Sequence, residues 1–179
     1  MPRKEFKLYS LDAELFAVGK WNGMSFSLDD LEEIAANFNE LAGLHKVPLK
    51  LGHNDDQPLT DGQPALGWVT KVWVEGTKLM GRFEKVPELV AQAIKQQMYR
   101  RVSIELDIDV EHKGKKYRYV LSGVALLGAD LPAVNTLADL DTYLDGESRL
   151  AASRRASFSA IQGQGKSKQR FKKESNMDE

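Results

Sequence analysis

The clearest pattern in the sequence is an amphipathic helix that begins after Ser27. Ser27 and Asp30 have the S-x-x-D spacing of a capping box, in which each side chain accepts a backbone N–H group of the other residue. Apolar residues follow at helical spacing and form one stripe, which consists of Leu28, Leu31, Ile34, Ala35, Phe38 and Leu41. The pattern predicts a helix that packs this stripe against a core.

The other apolar segments are short or alternate with polar residues, as β-strands do. The cleanest alternation runs from Arg101 to Glu111 and puts Val102 and Ile104 on one face and Ser103 on the other. Turn residues between several segments predict hairpins. We expect strands within residues 4–18, 47–51, 66–74, 79–83, 101–111 and 117–127, and further helices at 87–98, with Pro87 in the first turn, and at 135–144.

Strands joined by hairpins, with helices interspersed, predict an α+β fold rather than a regular alternation of strand and helix. After Asp145 the periodic apolar residues give way to Gly, Ser, Gln, Lys and Arg. We therefore expect a folded domain at residues 1–147 and a flexible basic tail at 148–179. The tail holds eight basic and three acidic residues, so it carries +5 and leaves −6 on the domain, in a chain of net charge −1.

Composition excludes several kinds of chemistry. The chain has no cysteine, which excludes disulfides, thiolate metal sites and a cysteine nucleophile. No apolar run approaches the roughly 20 residues that cross a bilayer, and no glycine-rich phosphate motif is present. We expect a protein of the cytoplasm with no membrane contact, no metal and no organic cofactor.

Three histidines and one serine are candidates for proton transfer and nucleophilic attack. Of His45, His53 and His112, only His53 both ends a predicted strand and precedes a loop that could form a cleft wall. The pattern alone favours a solvated loop histidine at this position, and periodicity alone favours an ordinary polar-face serine at Ser103. The G-x-S-x-G motif of the α/β-hydrolases is absent.

Five short signatures in a fixed order change this weighing. Across residues 5–140 their order and spacing resemble the phage prohead (capsid maturation) proteases, in particular the Mu-like protease/scaffold group. The signatures are Leu51-Gly52-His53, Pro64-Ala65-Leu66-Gly67-Trp68-Val69, Tyr99-Arg100-Arg101-Val102-Ser103-Ile104-Glu105, Leu121-Ser122-Gly123-Val124-Ala125-Leu126-Leu127 and Leu131-Pro132-Ala133-Val134, preceded by the capped helix.

The resemblance implies a fold similar to the herpesvirus assemblin-type serine proteases, a compact and mostly antiparallel β-barrel surrounded by a few helices. It also implies a serine nucleophile and a histidine base on neighbouring strands, which match Ser103 and His53. The roles are chemically sound, because a hydroxyl becomes a good nucleophile only when an adjacent imidazole accepts its proton.

A third residue is needed to orient the imidazole. Related phage proteases often place an acidic residue in the strand after the serine, whereas Gly123 stands at the matching position here. Asp130, in the loop beyond that strand, is the predicted third catalytic residue. Glu105, two residues from Ser103 on the same predicted strand face, and His112 are the alternatives.

The activity implied by the resemblance is that of a serine endopeptidase that processes the scaffold, the major capsid protein or itself inside the assembling procapsid, in the host cytoplasm. Self-association is a further expectation. The tail contains two Ala-Ser bonds, at residues 152–153 and 156–157, so it is interpreted as a self-cleavage region or a linker to a scaffold. A noncatalytic assembly protein that retains the protease fold is the alternative. A nucleic-acid binder that uses the basic tail ranks last, because the domain is acidic and the tail has few aromatic residues.

Overall fold

The strands and helices expected from the sequence are present in the expected order, with differences at their ends, and two short strands at 19–21 and 24–26 were not predicted. The computed structural model describes residues 7–52 and 64–144 of the chain. The predicted tail at 148–179 lies outside the described residues, as does the predicted loop at 52–63 except for Gly52. The elements are β1 (Leu8–Ala17), β2 (Gly19–Trp21), β3 (Met24–Phe26), α1 (Leu28–Leu41), β4 (Val47–Leu51), β5 (Trp68–Glu75), β6 (Lys78–Pro87), α2 (Glu88–Lys95), β7 (Arg101–His112), β8 (Lys115–Leu127) and α3 (Asp141–Leu144).

Six of the strands form one mixed sheet, which confirms the predicted α+β class. Their order is β1-β6-β5-β4-β8-β7, and every neighbouring pair is antiparallel except β4 and β8. The strands β2 and β3 form a separate two-stranded ribbon. Its turn residues Asn22 and Gly23 have φ values of 49° and 80°, which is the left-handed backbone that a tight hairpin turn requires.

The predicted β-barrel is wrong with respect to closure. Strands β1 and β7 are the two edges of the sheet, and among the described residues no hydrogen-bonded ladder joins them. Side chains from both edges, such as Phe16 on β1 and Ile104 on β7, instead line one cavity. A barrel has no edges, whereas no strand of the described residues lies beside the outer flank of β7.

Helix α1 confirms the predicted capping box and most of the predicted stripe. The backbone N–H of Ser27 donates to Oδ2 of Asp30 at 2.7 Å, and the N–H of Asp30 donates to the Ser27 hydroxyl at 3.2 Å. Asn37 is also buried on this helix and donates to the carbonyl oxygen of Tyr119 on β8 at 2.8 Å. Of the predicted stripe only Leu28 is exposed, whereas Leu31, Ile34, Ala35, Phe38 and Leu41 are buried.

The predicted helix at 135–144 is wrong over its first six residues, because α3 begins only at Asp141. The preceding backbone and side chains bind other elements. The N–H of Ala138 donates to Glu14 at 2.8 Å, and the N–H of Leu140 donates to the carbonyl oxygen of Arg100 at 2.7 Å. These tertiary hydrogen bonds replace the local ones that a helix would form.

The second helix is shorter than predicted and begins one residue later. Pro87 has a φ of −61° and a ψ of 146°, so it is the extended residue that precedes the helix rather than a member of its first turn. The helix ends at Lys95, and Gln97 has a positive φ of 59°. The chain therefore turns away from helical geometry before Met98.

Candidate functional site

Ser103 lies on the edge strand β7, where it pairs with Ala125 of β8 and is partly exposed. It lines a cavity of about 190 Å³. Most of the other lining residues are apolar, none is charged, and they come from β1, the β2–β3 ribbon, β7 and the segment at 133–134. The structure thus places Ser103 among the residues that line an apolar cavity.

The position of Ser103 on an edge strand gives the cavity a second feature. On such a strand, alternate residues direct their backbone N–H and C=O groups away from the sheet. An extended peptide that lies along β7 can pair with these groups while one of its side chains enters the cavity. The arrangement is suited to a polypeptide ligand.

His53 lies outside the described residues, which end at Gly52 and resume at residue 64. The N–H of Gly52 donates to the carbonyl oxygen of Leu126 at 3.0 Å. Leu126 is the register partner of Leu51 on β4 and of Val102 on β7. The end of β4 and the residue before Ser103 are therefore held at the same level of the sheet, on either side of β8.

This topology corrects one implication of the resemblance. The strand that precedes His53 and the strand that carries Ser103 are not neighbours, because β8 lies between them. Two strand spacings correspond to about 10 Å between the backbones of β4 and β7. Side chains that extend from both strands are needed to bridge this distance.

Lys50 and Glu105 bridge it. Nζ of Lys50 on β4 lies 2.7 Å from Oε2 of Glu105 on β7, and the two side chains are 37% and 26% exposed. The register partner of Glu105 on β8 is Gly123, whose missing side chain leaves room for the contact. Lys50 was not among the predicted site residues, and its only signal in the sequence is its place between the apolar residues of a short strand.

Asp130, the predicted third catalytic residue, lies in the exposed turn after β8. It lines a different cavity, of about 320 Å³, together with Arg100, Arg101 and Leu131. It is not among the residues that line the cavity of Ser103. The structure brings Asp130 to the same end of β7 as Ser103 but into a separate depression of the surface.

Arg100 and Arg101, which precede Ser103 and were left without a role by the sequence, bind Asp139. Nη2 of Arg100 lies 2.7 Å and Nε of Arg101 lies 3.2 Å from the Asp139 carboxylate. The hydrogen bond from Arg100, together with those from Arg101 and the two positive charges, outweighs burial and holds the pKa of Asp139 below its ordinary value of 3.8. The two arginines thus anchor the segment before α3 to the start of β7.

The other two histidines lie away from Ser103. His112 pairs with Lys115 at the opposite end of β7, nine residues and about 30 Å along the strand, so it is too distant to orient a base at Ser103. Its Nε2 atom is buried without a hydrogen-bond partner. His45 lines another cavity with Trp68 and Glu84.

The part of the chain that the structure describes has neither a metal-binding cluster nor a membrane-spanning helix. No group of three or more His, Cys, Asp or Glu residues is arranged to hold a metal ion there. In the same residues, no helix has the length and apolar character needed to cross a membrane.

Comparisons of the chain with protein families, with curated proteins and with solved structures gave no match.

Proposed function

We propose that the protein is a serine endopeptidase in which Ser103 is the nucleophile and His53 is the general base. The observation that carries the proposal is the place of Ser103, on the strand at the edge of the described sheet and among the residues that line an apolar cavity. A peptide that pairs with β7 brings its backbone carbonyl groups to the strand that carries the hydroxyl. The resemblance to the prohead proteases supplies the assignment of the base.

The proposed reaction proceeds in two steps. In the first, Oγ of Ser103 attacks the scissile carbonyl carbon while His53 accepts the hydroxyl proton, and the C–N bond breaks as His53 returns that proton to the leaving amine. In the second, a water molecule attacks the acyl-enzyme with His53 again as base, which releases the carboxylic acid and restores the Ser103 hydroxyl. No metal or organic cofactor takes part in this scheme.

The cavity gives the proposal a substrate preference. A volume of about 190 Å³ without charged lining residues suits an apolar side chain of the substrate, whose burial contributes roughly 25 cal/mol per Å² of apolar surface. A charged side chain would lose its hydration there without gaining a partner. We therefore expect cleavage next to an uncharged residue.

The biological setting in this proposal rests on the resemblance. The substrates are the phage scaffold protein, the major capsid protein or the enzyme itself, and cleavage occurs inside the assembling procapsid in the host cytoplasm. In this proposal the strands around the site are arranged as in the assemblin-type proteases, although the sheet of this protein is open and theirs is a closed barrel. Self-association of the enzyme belongs to the same proposal.

The test compares the wild type with Ser103→Ala and Ser122→Ala, each co-expressed with the scaffold and capsid proteins. Ser122 is a matched control, because it is a partly exposed serine on the adjacent strand β8 and donates to Asp107 at 3.2 Å. Intact mass reports processing, and a fluorophosphonate probe reports a reactive serine. We expect processing and labelling in the wild type and Ser122→Ala, and neither in Ser103→Ala. If the wild type in assembled particles shows neither, a noncatalytic assembly protein replaces the protease.

A further inference from the structure

We infer that Glu105 is the positioning residue that orients the base, and that its carboxylate reaches its place from β7 because Gly123 leaves the space above β8 open. The inference rests on the proposed function and deepens it. Asp130, the residue predicted for this role, belongs to a different cavity. Three steps lead from the sheet to this role, and they concern the strand face of Glu105, the glycine at position 123 and the contact with Lys50.

The first step is the face of β7 on which Glu105 lies. Ser103 and Glu105 are separated by one residue of a strand, so their side chains leave the same face of the sheet. Their register partners on β8 are Ala125 and Gly123, and the ladder shifts only after Glu105. The carboxylate is therefore a neighbour of the nucleophile along the strand, on a continuous stretch of regular ladder.

The second step is the requirement for glycine at position 123. Gly123 is buried in the middle of a strand and has no left-handed φ, so its backbone conformation does not require glycine. A Cβ atom there would lie 2.5 Å from Oε2 of Glu105 and 3.3 Å from Cε of Lys50. Glycine inside a strand is unfavourable unless another group must approach closely. Here the approaching group is the carboxylate of Glu105.

The third step is the direction in which the carboxylate points. Its Oε2 atom accepts from Nζ of Lys50 at 2.7 Å, so the Glu105 side chain extends across β8 towards β4. Lys50 precedes His53 by three residues in the sequence, and β4 ends at Leu51. A carboxylate accepts several hydrogen bonds, so the Lys50 pair is compatible with a second donor such as an imidazole N–H. Glu105 thus extends from the strand of the nucleophile towards the strand that leads to the base.

The experiment measures the rate of fluorophosphonate labelling of Ser103 as a function of pH in full-length protein. We expect Glu105→Gln to reduce the rate roughly a hundredfold or more, as loss of the orienting carboxylate does in serine proteases. A carboxylate beside an imidazole favours its protonated form, so its loss lowers the pKa of the base. Since labelling requires the neutral imidazole, the acidic limb of the profile moves to lower pH in Glu105→Gln.

Two further variants separate positioning from a structural effect. Asp107→Asn is the matched control, because Asp107 is an exposed carboxylate of β7 two residues beyond Glu105, so its labelling rate should stay within about tenfold of the wild type and its acidic limb should remain. The double variant Glu105→Ala with Gly123→Glu moves the carboxylate one strand towards β4, into the space that Glu105 vacates. It should label at least tenfold faster than Glu105→Ala alone. If Glu105→Gln does not fold, this comparison with Glu105→Ala tests the role of the carboxylate instead.

The outcomes for Glu105 and for the proposed function are distinguishable. If Ser103 labels at the wild-type rate in Glu105→Gln, with the acidic limb unchanged and Asp130→Asn inactive, then Asp130 has the role and the inference about Glu105 is overturned while the protease remains. If Asp107→Asn and Glu105→Gln lose labelling equally, the effect is not specific to Glu105 and the inference is also overturned. If the wild type does not label at Ser103, the proposed function fails, and the inference fails with it.

Discussion

Nζ of Lys50 and Oε2 of Glu105 are 2.7 Å apart although their strands are separated by a third. The backbones of β4 and β7 stand about 10 Å from each other, so both side chains must extend across the face of β8 to meet. They meet above Gly123 of β8, which has no side chain to stand between them. An exposed ion pair contributes little to stability, but this pair fixes the direction of a carboxylate beside Ser103.

Adding a methyl group at Gly123 should disturb this contact. We expect Gly123→Ala to push the Glu105 carboxylate away from Lys50 and to lower the free energy of unfolding by no more than about 1 kcal/mol, because the atom that the new Cβ would overlap is the end of a flexible side chain. The double variant Gly123→Ala with Glu105→Ala should be more stable than the sum of the single effects by about 0.5 kcal/mol, since the clash is then relieved. Urea denaturation measures all three.

The matched control for this prediction is Gly43→Ala, because an added Cβ atom at Gly43 meets nothing within 4 Å and its φ is not left-handed. Its stability should stay within about 0.5 kcal/mol of the wild type or rise slightly. Equal losses in Gly43→Ala and Gly123→Ala would contradict the role given to the Glu105 contact.

The ion pairs of Asp139 should make stability depend on pH. The pKa of Asp139 is lower in the folded protein than its ordinary value of 3.8, so the unfolded state binds a proton more readily. The stabilisation is complete above pH 3.8 and is lost as the pH falls through the lower, folded value. Asp139→Asn should therefore destabilise the protein at pH 7 and have progressively less effect below pH 3.8, as measured by urea denaturation across this range. A difference that does not depend on pH would contradict this account.

The capping box of α1 should be measurable in isolation from the site. Removing the hydroxyl in Ser27→Ala should cost about 1 kcal/mol, because the N–H of Asp30 loses its acceptor. Ser25→Ala is the control, since Ser25 is an exposed serine of β3. Chemical denaturation should give a lower free energy of unfolding for Ser27→Ala than for Ser25→Ala. Equal losses of stability in the two variants would show that the cap makes no specific contribution.

Narrowing the cavity should change substrate binding without changing the nucleophile. Ala133→Leu places a larger side chain at the cavity wall and should reduce kcat/KM for peptides with an apolar residue at the cleavage site by about tenfold or more. Ala129→Leu is the control, because Ala129 is exposed and lines the cavity of Asp130 instead. Labelling by a small fluorophosphonate should be unaffected in both. If Ala133→Leu leaves kcat/KM for these peptides unchanged, the cavity does not bind the substrate side chain.

Local patterns in the sequence predicted the elements whose stabilising contacts are local. Helix α1 followed from a capping box and an apolar stripe, and both are present. The strand from Arg101 was predicted almost to its end, but its ladder with β8 shifts after Glu105, where Ser122 is an extra residue of β8, and Ile108 is 50% exposed. Such a bulge depends on the partner strand and has no reliable local signal.

Features that depend on distant residues could not be predicted in this way. The segment before α3 has helix-compatible residues, but Asp139 binds Arg100 and Arg101 and the segment stays irregular. Openness of the sheet depends on whether β1 and β7 meet, which no single strand reveals. For the candidate site, the shared strand face of Ser103 and Glu105 followed from the alternation of one strand, whereas the contact of Lys50 with Glu105 required knowledge that β4 lies next to β8.

The parallel pairing of β4 with β8 has a consequence for the timing of synthesis. It joins Leu49 to Val124 and Leu51 to Leu126, residues about 75 positions apart, so the chain must close a long loop before the pair can form. A nascent chain that has emerged only as far as Ser103 still lacks β8, on which β4 and β7 both depend. Translation itself therefore delays the assembly of the site until the ribosome has released nearly the whole domain, which under the proposed function protects neighbouring proteins from premature cleavage.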